Sequence, residues 1–155
     1  MKTYRLQTEL WLPHARDQVF DFFADPRNLE QLTPNWLHFE IVNRPDIAIR
    51  QGTRLDYRLR MRGIPLRWQS EIAAWEPPHR FVDRQTNGPY SLWVHEHTFS
   101  ECDSGTMVGD NVEYAVPGGA LVQRFLVAPD LERIFRYRHR MLEEIFSAKR
   151  NAEAS

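Results

Sequence analysis

The chain has 155 residues, 42% of them hydrophobic, and its 20 basic against 21 acidic side chains leave a formal net charge of −1. That length suits one domain that buries its core unaided, and the charge balance excludes a global pull toward nucleic acid or an anionic membrane. Cys102 is the only cysteine, which rules out an internal disulfide and a cysteine-built zinc cluster.

The opening MKTYRLQTEL lacks the apolar core of a signal peptide, and no stretch reaches the roughly 18 apolar residues of a membrane span. The expectation is a cytoplasmic protein without stable membrane insertion. TYRLQTELWL alternates with period two and predicts a first strand, closed by Pro13. In ARDQVFDFFADPRNLEQLTP the apolar residues Val19, Phe22, Phe23, Leu29 and Leu32 recur at helical spacing. Asp25-Pro26 splits this stretch into two short helices, stopping one and capping the next. Six β-rich segments follow, at 38–43, 53–62, 65–76, 80–86, 91–100 and 106–116, separated by the turn-like PDIAIRQG, RGIP, EPPH, NGPY and CDSG. Connections this short join antiparallel neighbours. From residue 118 the helical period returns, with Pro129 expected to break or kink it. Beyond 130, Leu131, Ile134, Phe135, Met141, Leu142, Ile145 and Phe146 form one face, with Arg138 near its middle. Residues 1–147 read as a single domain and 148–155 as a polar, disordered tail.

The order of strand, two short helices, six-strand meander and long final helix, with VFDFFADPRNLEQLTP after the first strand, resembles the SRPBCC or START-like helix-grip superfamily. GTRLDYRLRMRGIPLRWQSEI, WEPPHRFVDRQTNGPY and WVHEHTF are most similar to its bacterial polyketide cyclase/dehydrase-like ligand-binding members. The resemblance covers essentially the whole folded chain. It implies an α+β fold, a seven-stranded curved antiparallel sheet wrapped around a long C-terminal helix, with a cavity between them. Fold alone does not select an activity, since the superfamily hosts lipid carriers, receptors and aromatic cyclases.

Alternation assigns side chains to that cavity. In 53–62, Leu55, Tyr57, Leu59 and Met61 face inward; in 65–76, Leu66, Trp68, Ser70 and Ile72 do. In SLWVHEHTF, burying Glu96 costs more than burying imidazoles, so Trp93, His95, His97 and Phe99 take the inner face. The parity of Val108, Val112, Tyr114 and Val116 carries Asp110 inside and sends Asn111 and Glu113 to solvent. The expected ligand-binding wall is therefore Tyr57, Trp68, Trp93, His95, His97, Asp110 and Tyr114, with Arg138 as a further contact.

The first function expected is binding, as carriage or sequestration, of a small hydrophobic molecule such as a lipid, by a mostly apolar pocket with a few convergent polar groups. The alternative enzyme is an aromatic cyclase or dehydratase in which His95 or His97, poised by Asp110, acts as general base, although no nucleophile or glycine-rich oxyanion loop accompanies them. A protein-interaction module would instead show an exposed apolar patch and no cavity. Alternate histidines plus Asp110 supply donor types for zinc or iron, but no second His-rich motif supports that spacing, and no metal or cofactor is expected. Arg138 either snorkels or pairs with Asp110, or binds a ligand's carboxylate or phosphate. Arg54, Arg58, Arg60 and Arg67 share an outer face without stacking aromatics, which argues for cross-strand ion pairs and against nucleic acid. GGALVQRFLVAP lies at the expected cavity mouth, where it docks on the sheet as a helix start or makes transient membrane contact.

Overall fold

A computed structural model describes residues 1–43 and 48–154. β1 (Tyr4–Leu12) leads into α1 (Arg16–Ala24) and α2 (Asn28–Leu32), then a short 3-10 turn at Asn35–Leu37. Six strands follow: β2 (Glu40–Ile41), β3 (Arg54–Met61), β4 (Ile64–Glu76), β5 (Arg80–Asn87), β6 (Leu92–Cys102) and β7 (Gly105–Ala115). They form one antiparallel sheet in the order β1-β7-β6-β5-β4-β3-β2, so the first strand closes onto the last.

Tight turns hold the meander in register. Arg62 and Gly63 both have positive φ between the paired Met61 and Ile64, as do Asp103 and Ser104 between Cys102 and Gly105. Two successive left-handed residues give the primed turn that matches strand twist. β4 breaks register at Gln69/Ser70 and Ile72/Ala74, irregularities that bend a strand and help the sheet wrap. The segment expected as a strand at 38–43 forms one only at Glu40–Ile41, since His38 still adopts a left-handed φ of 46° after the 3-10 turn. Part of the PDIAIRQG turn lies outside the described residues.

After Gly118, whose φ of 94° suits a residue without a side chain, the chain forms α3 (Gly119–Val122), a π-type turn at Gln123–Val127 and α4 (Ala128–Ala154). Pro129 therefore neither breaks nor ends the helix. The wider turn before it relieves the clash its ring would make with the carbonyl of Phe125. α4 also continues past residue 147, where the sequence suggested a disordered tail; alanine, lysine, arginine and glutamate there are good helix formers despite their polarity.

Among the described residues the interior holds three apolar clusters, of which the first two pack between sheet and α4. The first joins Leu12, Val19, Phe20, Phe22, Phe81 and Phe99 to Leu142 and Phe146. The second joins Tyr90, Trp93, Val112 and Tyr114 to Leu131 and Phe135, and the third is Leu55, Tyr57 and Leu59 on β3. The expected inner face of α4 is thus the one that docks.

Two surface expectations need correction. The outer-face arginines Arg54, Arg58, Arg60 and Arg67 form no ion pair among the described residues, because Arg58 stands opposite Arg67 and Glu71 pairs with Arg84 instead. The 118–129 segment does not seat its large side chains on the sheet: Leu121 and Phe125 are 72% and 62% exposed. Among the described residues, no helix is long and apolar enough to cross a membrane.

Candidate functional site

Between the first two apolar clusters, the inner faces of β5, β6 and β7 carry a run of polar side chains. Register explains the grouping: Asp83 pairs with His95 across β5–β6, and His97 pairs with Asp110 across β6–β7. His95, His97 and Asp110 are buried, as the alternation predicts. The two imidazoles stack with centroids 3.7 Å apart, and His97 stacks in turn on Phe81 at 4.1 Å.

Each histidine has its own carboxylate. His95 Nε2 lies 2.7 Å from Asp110 Oδ1, and His97 Nε2 lies 2.7 Å from Asp83 Oδ2. An ionised carboxylate only accepts, so both Nε2 atoms carry the proton and donate. Asp110 Oδ2 accepts from Thr8 Oγ1 at 3.2 Å. With its only proton so used, Thr8 Oγ1 accepts from His139 Nε2, also at 3.2 Å. Asp110 thereby ties β1, β6, β7 and α4 together. His97 Nδ1 is the exception: it is buried, has no hydrogen-bond partner, and sits 3.6 Å from Asp110 Oδ1.

Burial pushes the Asp110 carboxyl up, but His139 at 3.8 Å, the hydrogen bond from His95 and the charge of Arg138 outweigh it and hold the group well below the usual carboxylate range. Asp83 follows the same pattern: burial opposes ionisation, and the bond from His97 with the charges of His95, His97 and Arg138 prevails. For His97, burial and the neighbouring His95 lower the pKa to about 4 despite Asp83 and Asp110, so the ring is neutral near pH 7.

A cavity of about 170 Å³ opens beside this cluster. Tyr57, Trp68, Trp93, His95, His97 and Arg138 line it, as the sequence suggested, together with Leu29, Leu32, Tyr90 and α4's Leu131, Ile134 and Phe135. Trp68 Nε1 donates to Ser70 Oγ, which leaves the indole faces for the cavity. A second pocket of about 60 Å³ adjoins toward Phe22 and Trp75 and shares Tyr57, Asp83, His97 and Arg138. Two expected lining residues stand behind the wall. Asp110 is screened by the His95 ring it anchors, and the Tyr114 hydroxyl, turned toward the π-type turn, accepts from Gln123 Nε2 at 3.1 Å.

Arg138 is 8% exposed, so it does not snorkel. It lines both pockets, its Nε is buried without a partner, and it forms no direct ion pair among the described residues. Sequence reasoning missed Asp83, Thr8 and His139. Phe81 could have flagged Asp83, since alternation in RFVDRQT puts both on one face.

A family model described as "Polyketide cyclase / dehydrase and lipid transport" matches residues 12–140. No curated protein matches the chain by sequence. Among solved structures, the protein TTHA0849 from Thermus thermophilus is similar at a TM-score of 0.72 and 20% identity, over 94% of this chain and 99% of that one. The ZhuI aromatase/cyclase from Streptomyces sp. R1128 gives a TM-score of 0.71 at 15% identity, over 94% of both chains. A norcoclaurine synthase point mutant from Thalictrum, in complex with a transition-state analogue, gives 0.69 at 14%, over 96% of this chain and 97% of that one. At these identities the likeness concerns the fold.

Proposed function

The chain belongs to the polyketide cyclase/dehydrase and lipid transport family, and from that premise we propose that it binds, and carries or sequesters, a compact hydrophobic molecule between its sheet and α4. The observation that carries this reading is the cavity of about 170 Å³ walled by Tyr57, Trp68, Trp93, Leu131 and Phe135. An apolar cavity of roughly 150 Å³ takes up benzene, so this one suits one or two fused rings or a short branched chain. Arg138 and the Asp83–His97 pair stand where a polar substituent on such a ligand would be fixed.

A second reading, cyclisation or dehydration by a general base, is favoured by one atom. Asp110 fixes the His95 tautomer, leaving Nδ1 as a lone pair on a ring that lines the cavity. His97 serves that role poorly, because its Nε2 is committed to Asp83 and its free nitrogen is buried.

Native mass spectrometry of the gently purified full chain tests the primary reading. The expected result is an adduct of small-molecule mass that is lost on denaturation and absent from Ile134→Trp, which fills the cavity. A bare protein under conditions that retain weak ligands overturns it. His95→Gln separates the readings: a carrier keeps its ligand with modest loss of affinity, whereas a base-catalysed turnover falls by about 10²–10⁴-fold.

A further inference from the structure

We propose that Asp83, His95 and His97 bind one divalent transition-metal ion, with a coordination position left open to the cavity. One donor atom from each lies within 4.8 Å of the others, and all three residues line the same wall. Two imidazoles and a carboxylate are a donor set for zinc, cobalt or ferrous iron, and three protein ligands leave room for a water or an exogenous group.

The hydrogen bonds behind these donors support the assignment. Metal-binding histidines typically donate their other N–H to a carboxylate, which fixes the ring and its tautomer. His95 already does so: its Nε2–H is held by Asp110, and its Nδ1 lone pair lies 3.9 Å from Asp83 Oδ2. His97 reaches the same state by one shift. At present its Nε2–H bonds to Asp83 while Nδ1 is buried without a partner. Moving that proton from Nε2 to Nδ1 directs it at Asp110 Oδ1, now 3.6 Å away, and frees both Nε2 and Asp83 Oδ2 for the ion. No net proton is released, and Asp110 then backs both rings. The orphan nitrogen of the neutral ring thus gains a partner in the metal-bound arrangement.

Geometry and charge agree. Donors about 2.1 Å from a tetrahedral ion stand about 3.4 Å apart, so separations of up to 4.8 Å close by at most ~1.4 Å and the 2.7 Å between His97 Nε2 and Asp83 Oδ2 opens by ~0.7 Å, both within reach of side-chain rotation. The half-buried Asp83 and buried Asp110 carboxylates against the single guanidinium of Arg138 leave the cluster anionic before the ion enters. The ligands sit on adjacent central strands, a stiff platform for fixed donors. Asp83 completes the donor set; sequence spacing had offered only Asp110, which backs the rings instead.

This inference is independent of the apolar-ligand reading, since a metal-free cavity can hold a ligand and an empty cavity can hold a metal. The test treats the full chain with EDTA and titrates it with CoCl2, then ZnCl2. One equivalent of Co2+ is expected to bind, give the visible d–d bands of a four- or five-coordinate ion, and be displaced by one Zn2+. Asp83→Asn and His97→Gln should each abolish the bands and weaken Zn2+ binding by at least ~100-fold, Asp110→Asn by about 10–100-fold, and His79→Gln not at all. Circular dichroism checks that each variant folds. If one does not, the wild type decides: Zn2+ should shift the imidazole resonances of His95 and His97 but not those of His38 and His79. No saturable Co2+ binding, binding that persists in both ligand variants, or shifts confined to the exposed histidines would overturn the proposal.

Discussion

At the α1 end of the interior, Phe20 meets Phe99 and Trp75 at 5.1 Å and Phe22 meets Phe146 at 5.3 Å, so aromatic rings fill the gap between sheet and α4. Midway along α4 the same sheet presents Asp83, His95 and His97, and beside them a cavity remains. The difference lies in what each side chain requires of its neighbours. Phe81, Phe99 and Val108 need only apolar atoms, which α1 and the end of α4 supply. The imidazoles and carboxylates instead satisfy one another across the sheet's inner face, a pairing that fixes their positions, and the residues around them leave a void beside the cluster. Stability therefore resides mostly at the closed end, and binding capacity mostly in the middle.

Truncation breaks that division most severely at the closed end. Phe99→Ala should cost about 3–5 kcal/mol in urea denaturation, whereas Leu131→Ala, already beside a void, should fall near ~2 kcal/mol, the low end of its class. Acid attacks the polar middle instead. His97 holds a folded pKa of about 4 against an ordinary 6.5, so below pH 6.5 the unfolded chain takes up the proton first. Unfolding free energy should consequently fall by ~3 kcal/mol between about pH 6.5 and pH 4, and His97→Gln should flatten that slope. Below about pH 4 a further loss follows as Asp83 and Asp110, ionised in the fold with depressed pKa values, approach protonation while the unfolded carboxyls are already protonated.

Enlargement sharpens the contrast at smaller magnitude. Val108→Phe overfills the packed end and should destabilise by about 1–3 kcal/mol, whereas Leu131→Phe grows into the cavity and should cost less than ~1 kcal/mol while reducing ligand capture. Smallest of all, Phe125→Ser on the exposed π-type turn should stay within ~0.5 kcal/mol of the parent.

Much of this division was legible in the sequence, because it follows from alternation. Glu96 and Thr98 oriented β6 correctly, and Val108, Val112 and Tyr114 carried Asp110 inward with them. Asp83 escaped because 80–86 offers Val82 as well as Phe81 to the interior, and both are buried. Thr8 and His139 were invisible for another reason: their roles depend on long-range β1–β7 pairing and on the roll of α4, which no local pattern fixes. Arg138 was placed on the inner face but not its fate, since one helical wheel does not say whether a long side chain reaches water.

The central claim is that the cavity beside Trp68 and Trp93 is real and receives small apolar molecules. Titrating the labelled protein with benzene while following its five indole N–H resonances tests this directly. Trp68 and Trp93 should shift saturably, while Trp11, bonded to the Cys102 carbonyl, and the exposed Trp36 stay in place. No movement at Trp68 and Trp93, or movement only at Trp36, would contradict the account.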